Sequence, residues 1–232
     1  MIEIGGLQKT TLIDYPGRLA ATVFLIGCNF RCSFCYSAEL VLPDKIKNQP
    51  RISQKEFFSF LKERKGLLEA ITVCGGEPCF NKDLPVFIRK IKKLGYLVKL
   101  DTNGSNPEML KKLINEKLVD YVAMDIKAPK EKYMKIVGKS VNIDDIEESI
   151  NILKQNKVDY EFRTTVVPAI HSKKDIIEIA KWLGPAKKYY LQSFRPEKTI
   201  DPKFLKKKPY SKELLLEIKK EISRFFQVCE VR

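Results

Sequence analysis

The chain has 232 residues, with 43 Lys and Arg against 29 Asp and Glu for a formal charge of +14, and 44% hydrophobic residues, enough to fill the core of one large α/β domain. Its cations are mostly scattered lysines, clustered only briefly at Lys187-Lys188 and Lys206 to Lys208 and never interleaved with aromatics in a compact tract, so composition argues against nucleic-acid binding. No apolar run approaches the roughly 20 residues that cross a bilayer, MIEIGGLQKTTLIDYPG lacks a signal-peptide pattern, and the six cysteines are therefore expected as free thiols in a reducing cytoplasm.

In chain order, the apolar run Ala21 to Ile26 predicts a first strand, and the polar stretch Asp44 to Pro50 (DKIKNQP) reads as a loop. Ser53 then caps a helix with Phe57, Phe58 and Leu61 on one face. A second strand is expected at Ala70-Cys74. Asp83 opens a helix carrying Phe87, Ile88 and Ile91, stopped by Gly95, and a third strand follows at Leu97-Asp101. Pro107, near an expected first turn, starts the next helix.

Strands at Val119-Met124, Tyr160-Val167 and Tyr189-Phe194 alternate with helical periods at Asp144 to Leu153, Asp175 to Leu183 and Ser211 to Phe225. Val228 to Arg232 reads as a short last strand. Strand and helix repeated in one direction imply a parallel sheet with right-handed crossovers. Six units rather than eight predict an α/β fold, a partial (β/α)6 TIM-like barrel. With no linker or second compositional zone, residues 1–232 are expected to form a single domain.

In parallel barrels the working groups leave the C-terminal strand ends. Here the first strand is followed by Cys28, Cys32 and Cys35 (CNFRCSFC), and the second by Gly75-Gly76-Glu77-Pro78. The third ends at Asp101 with Thr102-Asn103-Gly104, the fourth at Asp125-Ile126-Lys127, the fifth at Val167-Pro168, and the sixth at Arg195-Pro196. Three thiolates are one short of a closed four-ligand site, so a metal held there keeps an open coordination position.

This constellation resembles the radical S-adenosylmethionine (SAM) superfamily: three cysteines at the same spacing, an aromatic residue (Phe34) before the third, and the Gly75-Gly76-Glu77-Pro78 segment in order at the next strand end. The stretches IGGLQKTTLIDYPG, KLDTNGSNPEMLKKL, VDYVAMDIKAP and YEFRTTVVP look more narrowly like glycyl-radical-enzyme activating enzymes, of the short anaerobic ribonucleotide reductase type. The resemblance implies a radical SAM core in which Cys28, Cys32 and Cys35 hold a [4Fe-4S] cluster and SAM chelates the fourth iron. It further implies that one electron cleaves SAM to methionine and a 5'-deoxyadenosyl radical, which takes a hydrogen atom from a glycine of a partner enzyme.

By the same resemblance Gly75 and Gly76 let backbone approach the methionine amino group, Glu77 orients it, Phe34 and Tyr36 flank Cys35 and border the adenine, and Lys127 reaches the carboxylate. Arg195 stands near the nucleoside, where relatives often present a histidine. Asp101, Thr102 and Asp125, with the carbonyl of Ala123, match positions that bind a monovalent cation. The implied protein substrate is a glycyl radical enzyme, and the implied electron donor is a flavodoxin or ferredoxin, since the chain lacks the inserted ferredoxin-like segment of some relatives.

Taken alone, the same residues leave plainer readings open. The three cysteines form a zinc site if Cys74, Cys79 or His171 completes the set; Gly75-Gly76 and Asp101 to Gly104 serve as ordinary turns; Asp125 and Lys127 make a structural ion pair. Cys74 and Cys229 read as packing residues, and Cys79 as packing, a redox liability or a substrate contact. His171, the only histidine, is expected in solvent. The competing functions are a radical SAM enzyme acting on a small molecule, of deazapurine synthase type, and a non-catalytic iron-sulfur electron carrier.

Overall fold

The computed structural model of the chain describes residues 2–139 and 141–232. Eight strands form one sheet in sequential order: β1 (Ile4–Thr11), β2 (Ala20–Leu25), β3 (Ala70–Gly75), β4 (Leu97–Thr102), β5 (Tyr121–Asp125), β6 (Asp159–Val166), β7 (Ala186–Ser193) and β8 (Phe226–Val231). All neighbours from β2 onward run parallel, as expected. The exception is β1, which pairs antiparallel with β2 and was not foreseen. Its sequence IGGLQKTT carries two glycines after Ile4 and ends in the polar run QKTT, which masks the alternation that marks a strand.

Between the strands lie α1 (Ala38–Val41), α2 (Pro43–Ile46), α3 (Gln54–Glu63), α4 (Leu84–Lys93), α5 (Pro107–Asn115), α6 (Tyr133–Val137), α7 (Ile143–Lys154), α8 (Lys173–Leu183) and α9 (Lys212–Ile222). The polar stretch expected as a loop thus begins with one helical turn, α2, admitted by Pro43 at its first position. Caps fix the longer helices. Ser53 accepts from Glu56 N–H, Asn106 accepts from Met109 N–H, and Ser172 with Asp175 forms a reciprocal capping box that starts α8 before the expected Asp175.

Period-two alternation divides each strand between two faces. Ile71, Val73, Val98, Leu100, Val122, Met124 and Phe162 belong to the large apolar core that includes Phe57, Phe87, Leu113, Ile146 and Ile179 of the helices. The intervening residues face the other way. Register aligns Thr72 with Lys99 and Lys99 with Tyr121, then Asp101 with Ala123 and Ala123 with Glu161, then Asp125 with Arg163.

The sheet curls about this second face, because side chains meet across an intervening strand. Arg163 of β6 reaches Asp101 of β4, and Lys188 of β7 reaches Tyr121 of β5. Tyr15, from the loop between β1 and β2, packs with Ala20, Ala70 and Tyr121 at the N-terminal end of the concave side. The C-terminal strand ends form the opposite mouth.

Candidate active site at the C-terminal strand ends

Cys28, Cys32 and Cys35 follow β2, and none is bridged. Their loop is held by its own backbone and by α6: Cys35 N–H donates to the Cys32 carbonyl at 3.0 Å, and Arg31 N–H donates to the Val137 carbonyl at 2.7 Å. The Arg31 guanidinium adds bonds to the carbonyls of Cys28 and Phe30, each at 2.7 Å. Gly138, at φ +65°, must be glycine because a Cβ would press on the Arg31 carbonyl from 2.7 Å.

Burial pushes the Cys28 thiol up to about 12, helped by the Glu77 carboxylate and by the other two cysteines. Burial likewise raises Cys32 to about 11, with Lys127 opposing, and raises Cys35. The sulfurs therefore share a common, largely dry recess, in which Cys28 feels the other two and Lys127 acts on Cys32 and Cys35. Among the described residues no three His, Cys, Asp or Glu side chains converge as a ligand set for a single ion. An iron-sulfur cluster takes its thiolates on separate irons and does not require that convergence, so the soft donor set fits a cluster.

Gly75 and Gly76 are required by backbone packing at the end of β3. A Cβ on Gly75, at φ +115°, would fall on the backbone of Leu25, and one on Gly76 would fall on the Gly27 carbonyl. Glycine here lets the end of β3 pack directly on the segment leading to Cys28. Two bonds tie that junction: Gly76 N–H to the Leu25 carbonyl at 2.9 Å and Glu77 N–H to the Gly27 carbonyl at 2.8 Å.

Glu77 also departs from the expected part. It is 1% exposed, and its carboxylate accepts from Thr102 Oγ1 at 2.7 Å, Asn103 N–H at 2.6 Å and Cys79 N–H at 2.9 Å. Burial raises its pKa while these donors act against the rise. Glu77 is thus a brace that joins the ends of β3 and β4. Cys79 is buried beside Thr102, and Asn103 carries the brace onward to Asn29 in the cysteine loop at 3.0 Å.

On the concave face a ladder of charge runs towards the mouth. Lys99, 2% exposed, pairs with Asp101 on the same strand. Arg163 bridges Asp101 at 3.0 Å and Asp125 at 2.8 Å, and Lys127 closes on Asp125 at 2.9 Å. Although burial opposes ionisation, Arg163 and Lys127 hold the Asp125 carboxyl well below the usual carboxylate range. Asp125 and Lys127 thus form an ion pair, and Lys127 also stands within electrostatic range of Cys32. A monovalent cation at Asp101, Thr102, Ala123 and Asp125 would have to share both carboxylates with these side chains. Arg163 and Lys99 were missed by sequence reasoning; Lys99 had a signal, a basic residue two positions before Asp101 in a strand, whereas Arg163 meets Asp125 only through the register of β5 and β6.

His171 is 1% exposed and not in solvent as expected. Val167 N–H donates to its Nδ1 at 3.0 Å, which places the ring proton on Nε2, where it faces the Lys127 carbonyl at 2.8 Å. Burial lowers its pKa, in keeping with a neutral ring. The Phe34 ring meets it edge-on at 6.4 Å. His171 thus joins the loops after β5 and β6 to the aromatic residue beside Cys35. Of the two rings expected at the adenine, Phe34 is buried in the core, whereas Tyr36 stacks on Phe194 at 6.0 Å and stays 37% exposed. Arg195 is exposed and gives its backbone N–H to Tyr36 Oη at 2.6 Å.

Comparison with known proteins identifies relatives of this chain. A family model described as the radical SAM superfamily matches residues 22–183. The chain is similar to a Methanocaldococcus jannaschii protein named "putative glycyl-radical enzyme activating enzyme", with 36% identity over 215 residues that cover 90% of this chain and 87% of that one. It is also similar to the pyruvate formate-lyase-activating enzyme of Listeria monocytogenes, with 31% identity over 60% of this chain and 58% of that one. Among solved structures, Streptococcus suis SuiB bound to S-adenosylmethionine shares the fold at a TM-score of 0.66 and 15% identity, over 88% of this chain and about half, 48%, of SuiB.

Proposed function

Because the chain belongs to the radical SAM superfamily, we propose that it is the activating enzyme of a glycyl radical enzyme and that residues 1–232 serve this role as one domain. One observation carries the chemistry: three unbridged cysteines share one loop at the mouth of the sheet, with Lys127 within electrostatic range of Cys32 and Cys35. The similarity to the M. jannaschii relative supports the class of partner, and the stretches quoted above support anaerobic ribonucleotide reductase among such partners. When bound, the [4Fe-4S] cluster and SAM supply a one-electron cleavage that yields methionine and a 5'-deoxyadenosyl radical able to take a glycine hydrogen.

In this reading Cys28, Cys32 and Cys35 hold the cluster. Gly75 and Gly76 offer backbone at the end of β3, beside the methionine amino group. The ammonium of Lys127, aimed by Asp125, meets the methionine carboxylate as a charge-assisted contact. Glu77 holds the β3 and β4 ends in register, a positioning role. Tyr36 and Arg195 border the outer edge of the nucleoside and Phe34 supports Cys35 from below. A monovalent cation enters only as a competitor of Arg163, Lys99 and Lys127 for Asp101 and Asp125. A flavodoxin or ferredoxin supplies the electron.

Anaerobically reconstituted protein given dithionite and SAM is expected to release 5'-deoxyadenosine. Mixed with a candidate glycyl radical protein, it should give the electron paramagnetic resonance doublet of a glycyl radical. A correctly formed cluster that never cleaves SAM would leave only the electron-carrier reading, and cleavage coupled to turnover of a deazapurine precursor would replace the protein substrate by a small molecule. Replacement of Cys32 by alanine should abolish cluster assembly with an unchanged far-ultraviolet spectrum.

A further inference from the structure

Residues 195–208, between β7 and α9, form a strap laid against the cysteine loop. Asp201 N–H donates to the Ser33 carbonyl, between Cys32 and Cys35, at 2.8 Å, and Arg195 N–H donates to Tyr36 Oη at 2.6 Å. Its root is apolar: Phe194 stacks on Tyr36 at 6.0 Å, and Phe204 meets Phe194 edge-on at 6.4 Å. At its far end Tyr210 Oη donates to the His171 carbonyl at 2.8 Å. The strap is thus fixed at both ends to groups of the site.

Its solvent side is strongly basic. Arg195, Lys198, Lys203, Lys206, Lys207 and Lys208 are all exposed, against Glu197 and Asp201 alone. Asp201 is already engaged, its side chain accepting from Lys203 N–H at 2.9 Å. Half-buried lysines elsewhere find carboxylates, as Lys130 does in Glu147 and Lys173 in Glu217. Among the described residues no ion pair neutralises any of the six strap cations. Six like charges within fourteen residues repel one another, so their arrangement beside the site calls for an anionic complement.

We propose that this strap is the docking surface for an acidic one-electron carrier protein. The inference rests on the reading above, in which a cluster on Cys28, Cys32 and Cys35 is reduced from outside. Electron transfer weakens steeply with distance, so a carrier must approach the cluster closely without entering the mouth. The strap offers that approach: a single hydrogen bond, from Asp201 to Ser33, leads from its backbone into the segment between two cysteines. A protein that surrenders a glycine hydrogen must instead bring that glycine over the strand ends. The position of the charge on the outside of the cysteine loop therefore favours the carrier. Long-range attraction between opposite charges raises the association rate and falls with ionic strength.

The test is the triple variant Lys206→Gln, Lys207→Gln, Lys208→Gln, with flavodoxin as the probe. Calorimetric titration of oxidised flavodoxin into the purified chain should show binding weakened about tenfold at low salt and a shallower salt dependence in the variant. In the reconstituted enzyme, SAM cleavage driven by reduced flavodoxin should show a matching rise in KM for flavodoxin. Cleavage driven by photoreduced deazaflavin, a small uncharged reductant, should be unchanged, and so should the dependence on a glycyl radical protein under that reductant. Unaltered flavodoxin binding and KM would overturn the proposal. A variant affected only in its dependence on the glycyl radical protein would overturn it too and assign the strap to that partner. Absence of cleavage with deazaflavin in the unmodified enzyme would instead strike the functional reading beneath it.

Discussion

Gly76 faces the Gly27 carbonyl so closely that even a methyl group has no room. Gly76→Ala must therefore part the end of β3 from the cysteine loop, at about 1–3 kcal/mol for overpacking. Urea denaturation should register that loss, and iron bound per chain after anaerobic reconstitution should fall. A fully stable, fully loaded variant would show that the junction is not what orders the loop. His171 allows a finer comparison, since its ring makes two bonds that a glutamine amide can imitate and a phenyl ring cannot. His171→Gln should keep SAM affinity near that of the parent, whereas His171→Phe should weaken it about tenfold, the loss of one to two hydrogen bonds, with the cluster still assembled. As the only histidine, it gives a single set of imidazole nitrogen-15 resonances, expected to show Nε2 protonated and Nδ1 bare. Two rapidly exchanging tautomers would contradict the assigned bonds.

At the scale of elements, β4, β5 and β6 act as one charged ladder. Arg163 stands between two carboxylates, so Arg163→Met leaves Asp101 and Asp125 each short of a partner at a cost of about 3–5 kcal/mol. The sign of the pH dependence follows from Asp125, whose carboxyl is depressed in the folded state below its ordinary 3.8. A depressed carboxyl contributes stability above its unfolded value and loses it as the pH falls through the folded one. The parent's advantage over Arg163→Met should thus be full near neutrality and shrink progressively below about pH 3.8. Denaturant titrations at several pH values check this; an advantage that grows on acidification would reverse the assignment. The strands themselves were legible, because Ile71, Val73, Val122 and Phe162 alternate as a strand must. The ladder was not, since Arg163 gains its partners Asp101 and Asp125 only when β4, β5 and β6 come together.

For the whole molecule, one sheet threads every element from Ile4 to Val231. No helix among the described residues is long and apolar enough to cross a membrane. If residues 1–232 are one domain, the cluster-free chain should lose its structure in a single step. Fluorescence of Trp182, the only tryptophan, on α8, and far-ultraviolet circular dichroism should then give the same urea midpoint. Separate midpoints would divide the sheet into independent units.

The order of events along the chain was set by the sequence: strand and helix periods, three cysteines at fixed spacing after one strand and a glycine pair after the next. These are local patterns, carried by neighbours a few residues apart. Tertiary structure alone decided what the groups at the mouth do. Gly75 and Gly76 serve a backbone junction, Glu77 braces two strand ends, Phe34 and His171 turn inward, and the strap settles on the cysteine loop. Each of these depends on contacts between residues far apart in the chain, made when the sheet curls, and no periodicity records which distant donor will meet which acceptor.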